Sequence, residues 1–369
     1  MRRIDRRGCL FLGPLVLAGA GGFGALWPAL GERLSRWLAW YQDATPPQLV
    51  IRVPDRPVRG KVTIVLEVAD EQGWEIEWFE LDGLPLPAVA GEHVIDTTTL
   101  PDGLHVLAAS ARDHARAGNR AQVQATLLSR NHPPILALDP ASTSVGQGQT
   151  LVIRVRSSVP VALSGTFAGR SLVFVSDGQQ SWALVGIDAM TRPGPRPLRL
   201  TAVDELGNRS ELNAEVRVLP VAYPNEEVWL PPATSGLIGS TVNAREIARL
   251  DALFAQVSPQ PRWSGPFVRP VSCPIASDFA TGRSYNGGPI TSRHWGTDFD
   301  CPVGTPVFAP APGTVVLVEP LAVRGLAVIL DHGVGVYSCY YHLSRADVHT
   351  GAGGYRRYPS LRSVAQPVP

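Results

Sequence analysis

Lysine is nearly missing from this 369-residue chain: Lys61 is the one lysine among 33 basic residues. Arginine carries the rest, which reads as codon bias rather than function. Acidic residues number 32, so the formal net charge is +1, and charged residues make up 18%. A nucleic-acid face or a long acidic tail needs a one-sided balance, and neither is present. Cysteine is scarce too. The four, Cys9, Cys273, Cys301 and Cys339, include no pair at zinc-site spacing. Buried small side chains are the plain reading; one disulfide with one free thiol is the other, if the chain lies outside the cell. Long helical patterns are few, whereas Gly (36) and Pro (34) are abundant. That composition favours many short strands and turns. The length suggests two or three domains.

The chain opens with four arginines, and no charge then appears from Gly8 to Gly31. At about 1.5 Å per residue such a run is just long enough to cross a bilayer. The arginines would stay in the cytoplasm and the bulk of the chain would lie outside. The alternative is a cleaved signal peptide, with Ala18, Ala20 and Ala25 near the cut. Trp37, Trp40 and Tyr41 fit an interfacial belt or a short juxtamembrane helix. Either way the expected location is extracytoplasmic, anchored at the cell membrane or secreted.

From about Gln48 the pattern alternates, in QLVIRV, KVTIVLEV and EIEWFELDG, with Gly turns between. The texture resumes at PPILALDP and TLVIRVRS. Residues 111–128 echo residues 202–219: each runs strand, Asp, Gly-Asn-Arg turn, strand. A spacing near ninety residues suits two tandem β-sandwiches, and in this texture they resemble bacterial immunoglobulin-like modules. His93, His105, His114 and His132 are scattered here and read as surface or turn residues. The stretch TVNAREIARLDALFAQV is the clearest soluble helix, with Asn243 as its cap and Glu246 three residues on. Ile247, Leu250, Leu253 and Phe254 form its apolar stripe. It reads as a linker without chemistry.

Residues 292–307 read SRHWGTDFDCPVGTPV, with His294 four residues before Asp298. On an extended strand residues four apart lie about 13 Å apart. That is too far for both to reach one ion at roughly 2 Å each. Gly296, Thr297, Pro302 and Gly304 argue against a helix. A shared ion therefore requires a bend, and Gly296 is placed for one. Two ligands are still insufficient, because a catalytic zinc usually takes three from the protein and one water. Alone, the pair could be a simple ion pair at a loop.

The surroundings say more. Phe267 and Pro270 come first, then Phe279 and Arg283 in a Ser-x-Phe-x-x-x-Arg segment. His294, Gly296 and Asp298 make H-x-G-x-D. Gly304, Thr305, Pro306 and Val307 make a turn, and Gly313 and Val315 open a strand. His332-Gly333 ends a strand pair, and Tyr340, His342, Leu343 and Ser344 make Tyr-x-His-Leu-Ser. In this order, over roughly residues 263–351, the chain resembles the lysostaphin-like zinc endopeptidases, the twenty-third metallopeptidase family. The resemblance implies that His294 and Asp298 are zinc ligands. It implies that His342 orients or deprotonates the attacking water, or supports the oxyanion. It also implies one Zn2+ per chain and a substrate among the peptides of bacterial cell-wall peptidoglycan. Zinc lowers the pKa of its water toward neutrality and polarises the scissile carbonyl, and an imidazole can handle a proton near pH 7. The plainer readings are a core histidine for His342, a structural role closing a hairpin for His332, and a solvent-facing His349.

One landmark of the family is absent. Its third zinc ligand is the second histidine of an H-x-H motif beyond Tyr-x-His-Leu, and this sequence has no H-x-H. The tail GGYRRYPSLRSVAQPVP lacks alternation and does not read as closing strands. Val348 and Gly351 keep the family's spacing and the pattern then stops, as a reading-frame slip near Gly351 would leave it. The expected fold is therefore all-β in five parts. Residues 1–45 are a signal or membrane anchor, 46–131 and 132–221 two immunoglobulin-like sandwiches, 222–262 a helical linker, and 263–369 an incomplete antiparallel-sheet peptidase domain. The expected function is that of an exported zinc metalloendopeptidase-family protein, inactive as written. A non-catalytic wall-binding or hydrolase-regulating protein is the alternative, and a purely structural adhesin leaves the His294 neighbourhood unexplained.

Overall fold

The computed structural model describes residues 26–231, 241–353 and 361–363. Strand is the dominant regular structure among the described residues, with two α-helices, so the all-β expectation holds. Contacts divide the chain into two compact units, meeting in sequence at Asn131 and His132. The apolar run expected to be an anchor or signal falls largely on residues 1–25, outside the described residues. Among the described residues no helix is long and apolar enough to cross a membrane.

In the first unit the helix Leu26–Gln42 precedes a three-stranded and a four-stranded antiparallel sheet. The helix end sits on the strands: Trp40 Nε1 donates to the His114 carbonyl (2.8 Å), and the Arg116 guanidinium lies over the Tyr41 ring. Alternation decides which residues turn inward. Ile64 and Leu66 of Lys61–Ala69 are fully buried, and they meet Phe79, Leu107 and Leu127 from the other sheet. His93 and His105 correct the surface reading. Both are buried, because each ring finds polar partners inside. His105 Nδ1 lies 2.6 Å from Asp82, and His93 Nε2 lies 2.8 Å from the Val89 carbonyl.

The second unit begins with a sandwich of a four-stranded and a five-stranded sheet. Leu151, Ile153 and Val185 from one sheet and Leu198, Leu200, Val216 and Val218 from the other form one core. The sequence echo has a physical basis. In the first unit Asp113 accepts from the backbone N–H groups of Ala115 and Asn119, and Asn119 Nδ2 donates back to it (2.8 Å). In the second, Asp204 accepts from Leu206 and Asn208 N–H, with Asn208 Nδ2 at 2.9 Å. Each carboxylate ties off a turn that strand pairing leaves unsatisfied.

Beyond the sandwich lies a five-stranded sheet in the order Pro306–Val307, Leu361–Ser363, Tyr337–Arg345, Gly325–Asp331, Thr314–Leu321. Gly325–Asp331 is buried on both faces. Val328 and Leu330 face a core with Val307, Val315 and Tyr340. Ala327 and Ile329 face the helix Thr241–Phe254 through Leu250, Leu253 and Phe254. The tail corrects its expectation: Leu361–Ser363 pairs antiparallel with two strands. Three residues are too few for a period to show in sequence, and backbone pairing does not need one.

The helix differs from its sequence reading in two ways. It starts at Thr241, so Asn243 lies inside it and not at its cap. Glu246 does not turn back on the helix start; it accepts from Val323 N–H (2.7 Å) and Arg324 Nη1 (2.8 Å) in the facing hairpin. Ile247 is exposed, so the apolar stripe is narrower than its spacing suggests. The linker also holds an unforeseen strand, Asn225–Val228, paired parallel with Gly282–Tyr285.

His332 is structural, as its place before Gly333 suggests. It is fully buried, with Nδ1 2.7 Å from the Pro312 carbonyl and Nε2 2.8 Å from Ser338 Oγ. Gly333 has φ +88°, and a Cβ there would lie 2.0 Å from the Gln260 carbonyl oxygen, so only glycine fits.

Two predictions follow from these buried polar groups. Asp204→Ala should destabilise the protein by about 2–4 kcal/mol, because buried N–H donors lose their acceptor; urea unfolding checks this. Burial pushes the His332 imidazole below its ordinary pKa, against the opposing Pro312 hydrogen bond and Asp331 charge. The folded state therefore favours the neutral ring. Its stabilisation should be complete above about pH 6.5 and fall as pH drops below that value toward the folded pKa. A His332→Gln variant should lose that component of the stability–pH curve.

Candidate metal site

His294 and Asp298 lie at the ends of two short strands. Ser292–Arg293 delivers His294, and Asp298–Phe299 begins with the carboxylate. His294 is held by its backbone, accepting from Ala280 N–H and donating to the Thr281 carbonyl (2.8 Å each). The chain bends at Gly296. His294 Nε2 then lies 3.2 Å from Asp298 Oδ1, where an extended strand would keep the residues about 13 Å apart.

The other nitrogen fixes the ring. His294 Nδ1 lies 3.2 Å from the Asp278 carbonyl and 3.3 Å from Ser277 Oγ. A carbonyl only accepts, so a hydrogen on Nδ1 donates to Asp278 and leaves the Nε2 lone pair of a neutral ring toward Asp298, whereas a hydrogen on Nε2 donates to Asp298 Oδ1. On Asp298 the other oxygen, Oδ2, accepts from Arg283 Nη2 (2.9 Å). Arg283 Nε in turn donates to Glu226 Oε1 (2.7 Å). Partial burial pushes the Asp298 carboxyl up, but the His294 hydrogen bond and charge and the Arg283 guanidinium outweigh it and hold the pKa below its ordinary value.

His294 Nε2 and Asp298 Oδ1 face each other across 3.2 Å. Tetrahedral zinc bonds of about 2.0–2.1 Å to nitrogen and oxygen set ligand atoms roughly 3.3 Å apart. The pair thus fits two corners of a zinc tetrahedron. Among the described residues no third His, Cys, Asp or Glu joins them: the one group of three that could share an ion is Asp43, Asp70 and Asp113. In sequence, no such residue follows His349.

A covalent bond braces the site. Cys273 and Cys301 form a disulfide, settling a pairing that sequence leaves open. Cys273 precedes Ile275–Ser277 and Cys301 follows Asp298–Phe299, and those two strands pair antiparallel. The bond therefore closes the Ile275–Phe299 end of this ladder, whose other end pairs Ser277 with Asp298. Cys339 is a free thiol.

His342 is exposed on Tyr337–Arg345, at a break in register with Gly325–Asp331. Its φ is +56°, and its N–H donates to the Arg324 carbonyl (2.9 Å). Among the described residues no hydrogen bond or ion pair links its ring to His294 or Asp298. The structure thus brings two of the three candidate residues together. It adds Arg283, which sequence marked only as a landmark, and Ser277 and Glu226, which it did not mark. The Ser-x-Phe-x-x-x-Arg segment could have pointed to Ser277; nothing local in NEEV points to Glu226.

Part of the chain is similar to known proteins. Residues 292–353 match the model of Peptidase family M23. Peptidoglycan DD-endopeptidase ShyA of Vibrio cholerae is 38% identical over 80 residues, which are 21% of this chain and 18% of that protein. An uncharacterized metalloprotease of Haemophilus influenzae is 41% identical over 84 residues, 21% of this chain and 16% of that protein. The chain spans less than a fifth of either relative. A solved M23 peptidase structure from Pseudomonas aeruginosa aligns with a TM-score of 0.40 and 26% identity, over 58% of this chain and 80% of that one.

The disulfide yields a prediction. It closes a loop of 28 residues, so reducing it should cost about 3–4 kcal/mol on chain-entropy grounds. Urea unfolding with and without reductant measures the difference. An unchanged midpoint would mean that Cys273 and Cys301 are not bonded in solution.

Proposed function

We propose that the M23 domain at residues 292–353 belongs to an exported peptidoglycan hydrolase, with His294 and Asp298 as two protein ligands of Zn2+. The observation that carries this reading is the 3.2 Å approach of Nε2 and Oδ1, each already oriented from behind. A bound zinc would acidify a water and polarise a peptide carbonyl. Asp278 holds the proton on His294 Nδ1 and so keeps Nε2 available. Arg283 fixes Asp298 through Oδ2 and leaves Oδ1 outward. His342 would hold or accept the proton of an attacking water.

Export is supported by the arginine-led apolar N-terminus and by the disulfide, a bond rare in reducing compartments. The peptidoglycan substrate is supported by the likeness to a peptidoglycan DD-endopeptidase. The residues given supply two zinc ligands where a catalytic site takes three. We therefore infer weak zinc binding and no cleavage by this polypeptide alone. The second reading is a non-catalytic wall-binding or hydrolase-regulating protein.

The test is zinc titration against a chromophoric chelator, alongside digestion of purified peptidoglycan followed by mass spectrometry of released peptides. Zinc should bind, and His294→Ala and Asp298→Ala should each weaken it at least about tenfold. No peptide should be released. Chelator-sensitive release would overturn the inactivity, and zinc binding indifferent to both substitutions would overturn the metal assignment. Sedimentation with insoluble peptidoglycan without any cleavage would favour the second reading.

A further inference from the structure

We propose that Glu226 is a positioning residue of the His294–Asp298 pair: by holding Arg283 Nε it limits that guanidinium to one oxygen of Asp298 and leaves the other for a cation. The proposal rests on the reading of His294 and Asp298 as metal ligands. Glu226 lies outside the family match, on Asn225–Val228, the strand found where a linker was expected. That strand pairs parallel with Gly282–Tyr285, and Glu226 is the register partner of Arg283. Backbone pairing thus sets the carboxylate beside the guanidinium.

An arginine presents Nε and one terminal nitrogen as a fork that matches both oxygens of a carboxylate. Here the fork is split. Nε goes to Glu226 Oε1 at 2.7 Å and Nη2 to Asp298 Oδ2 at 2.9 Å. Asp298 receives one arm of the guanidinium only, and Oδ1 faces His294 Nε2 at 3.2 Å. Without Glu226 the whole fork is free to turn onto Asp298, and a donor then occupies Oδ1. Charge acts in the same direction. Glu226, Arg283 and Asp298 together carry one net negative charge, whereas Arg283 and Asp298 alone are neutral and attract a cation less.

Glu226 also accepts from the Ser277 hydroxyl, 3.1 Å from each oxygen, and Ser277 Oγ stands beside His294 Nδ1. The Asp278 carbonyl serves that same nitrogen. The His294 tautomer therefore does not depend on Glu226, and its influence runs through Asp298.

The experiment pairs metal-free crystal structures of the wild type and Glu226→Ala with zinc affinity by chelator competition. In Glu226→Ala, Arg283 should contact both Asp298 oxygens, and the zinc Kd should rise about ten- to hundredfold. Glu226→Ala/Arg283→Ala should bind zinc more tightly than Glu226→Ala alone, a recovery that mere structural damage would not produce. Glu226→Gln keeps an acceptor for Nε and loses the charge, so it should lose affinity by an intermediate factor, about threefold or more. It also carries the test if the alanine variant does not fold. A guanidinium that keeps its single Asp298 contact in Glu226→Ala, or unchanged zinc affinity in Glu226→Gln, overturns the proposal. If the guanidinium turns but the wild type binds no zinc, the metal reading fails and the positioning of Asp298 stands.

Discussion

An imidazole nitrogen and a carboxylate oxygen 3.2 Å apart need a hydrogen or a cation between them. With Nδ1 donating to a carbonyl, the neutral His294 ring offers a lone pair to an oxygen that also offers lone pairs. A proton on His294 resolves the conflict in one way and a shared cation in another. The surrounding architecture keeps the conflict in place. The bend at Gly296 brings the two residues together, the Thr281 and Ala280 backbone fixes one of them, and Arg283 fixes the other.

Those supports rest on a firmer base. The disulfide closes the ladder between Ile275–Ser277 and Asp298–Phe299. Nearby, the five-stranded sheet is held by Gly325–Asp331, buried on both faces. Glu246 ties the helix Thr241–Phe254 to the hairpin at Val323 and Arg324, and the Arg324 carbonyl receives the N–H of His342. The helix therefore braces the backbone beside the third candidate residue, at a position where φ is positive and the strand register breaks. Left-handed backbone at a non-glycine residue costs free energy and clusters at functional sites.

Much of this was legible in the residues themselves. Alternation marked the sandwich strands, and the Asp and Gly-Asn-Arg echo marked two turns that close in the same way. H-x-G-x-D required a bend, and the bend is there. What escaped was non-local. His93 and His105 look like surface residues until Phe79 and Asp82 arrive from other strands and turns. Glu246 fits a capping pattern, but tertiary hydrogen bonds outweigh the local one. Glu226 sits in a short polar stretch whose pairing with Gly282–Tyr285 has no local signal. Leu361–Ser363 pairs its backbone with two strands, and three residues are too few for side-chain alternation to announce it.

The proposed zinc site has two candidate ligands, His294 and Asp298, each with an outer partner in place. The most direct measurement is anomalous scattering at the zinc edge from crystals soaked in zinc. The account predicts a peak between His294 Nε2 and Asp298 Oδ1, about 2 Å from each, with solvent completing the shell. Zinc found elsewhere in the chain, at Asp43, Asp70 and Asp113 for example, with none between His294 and Asp298, would contradict it.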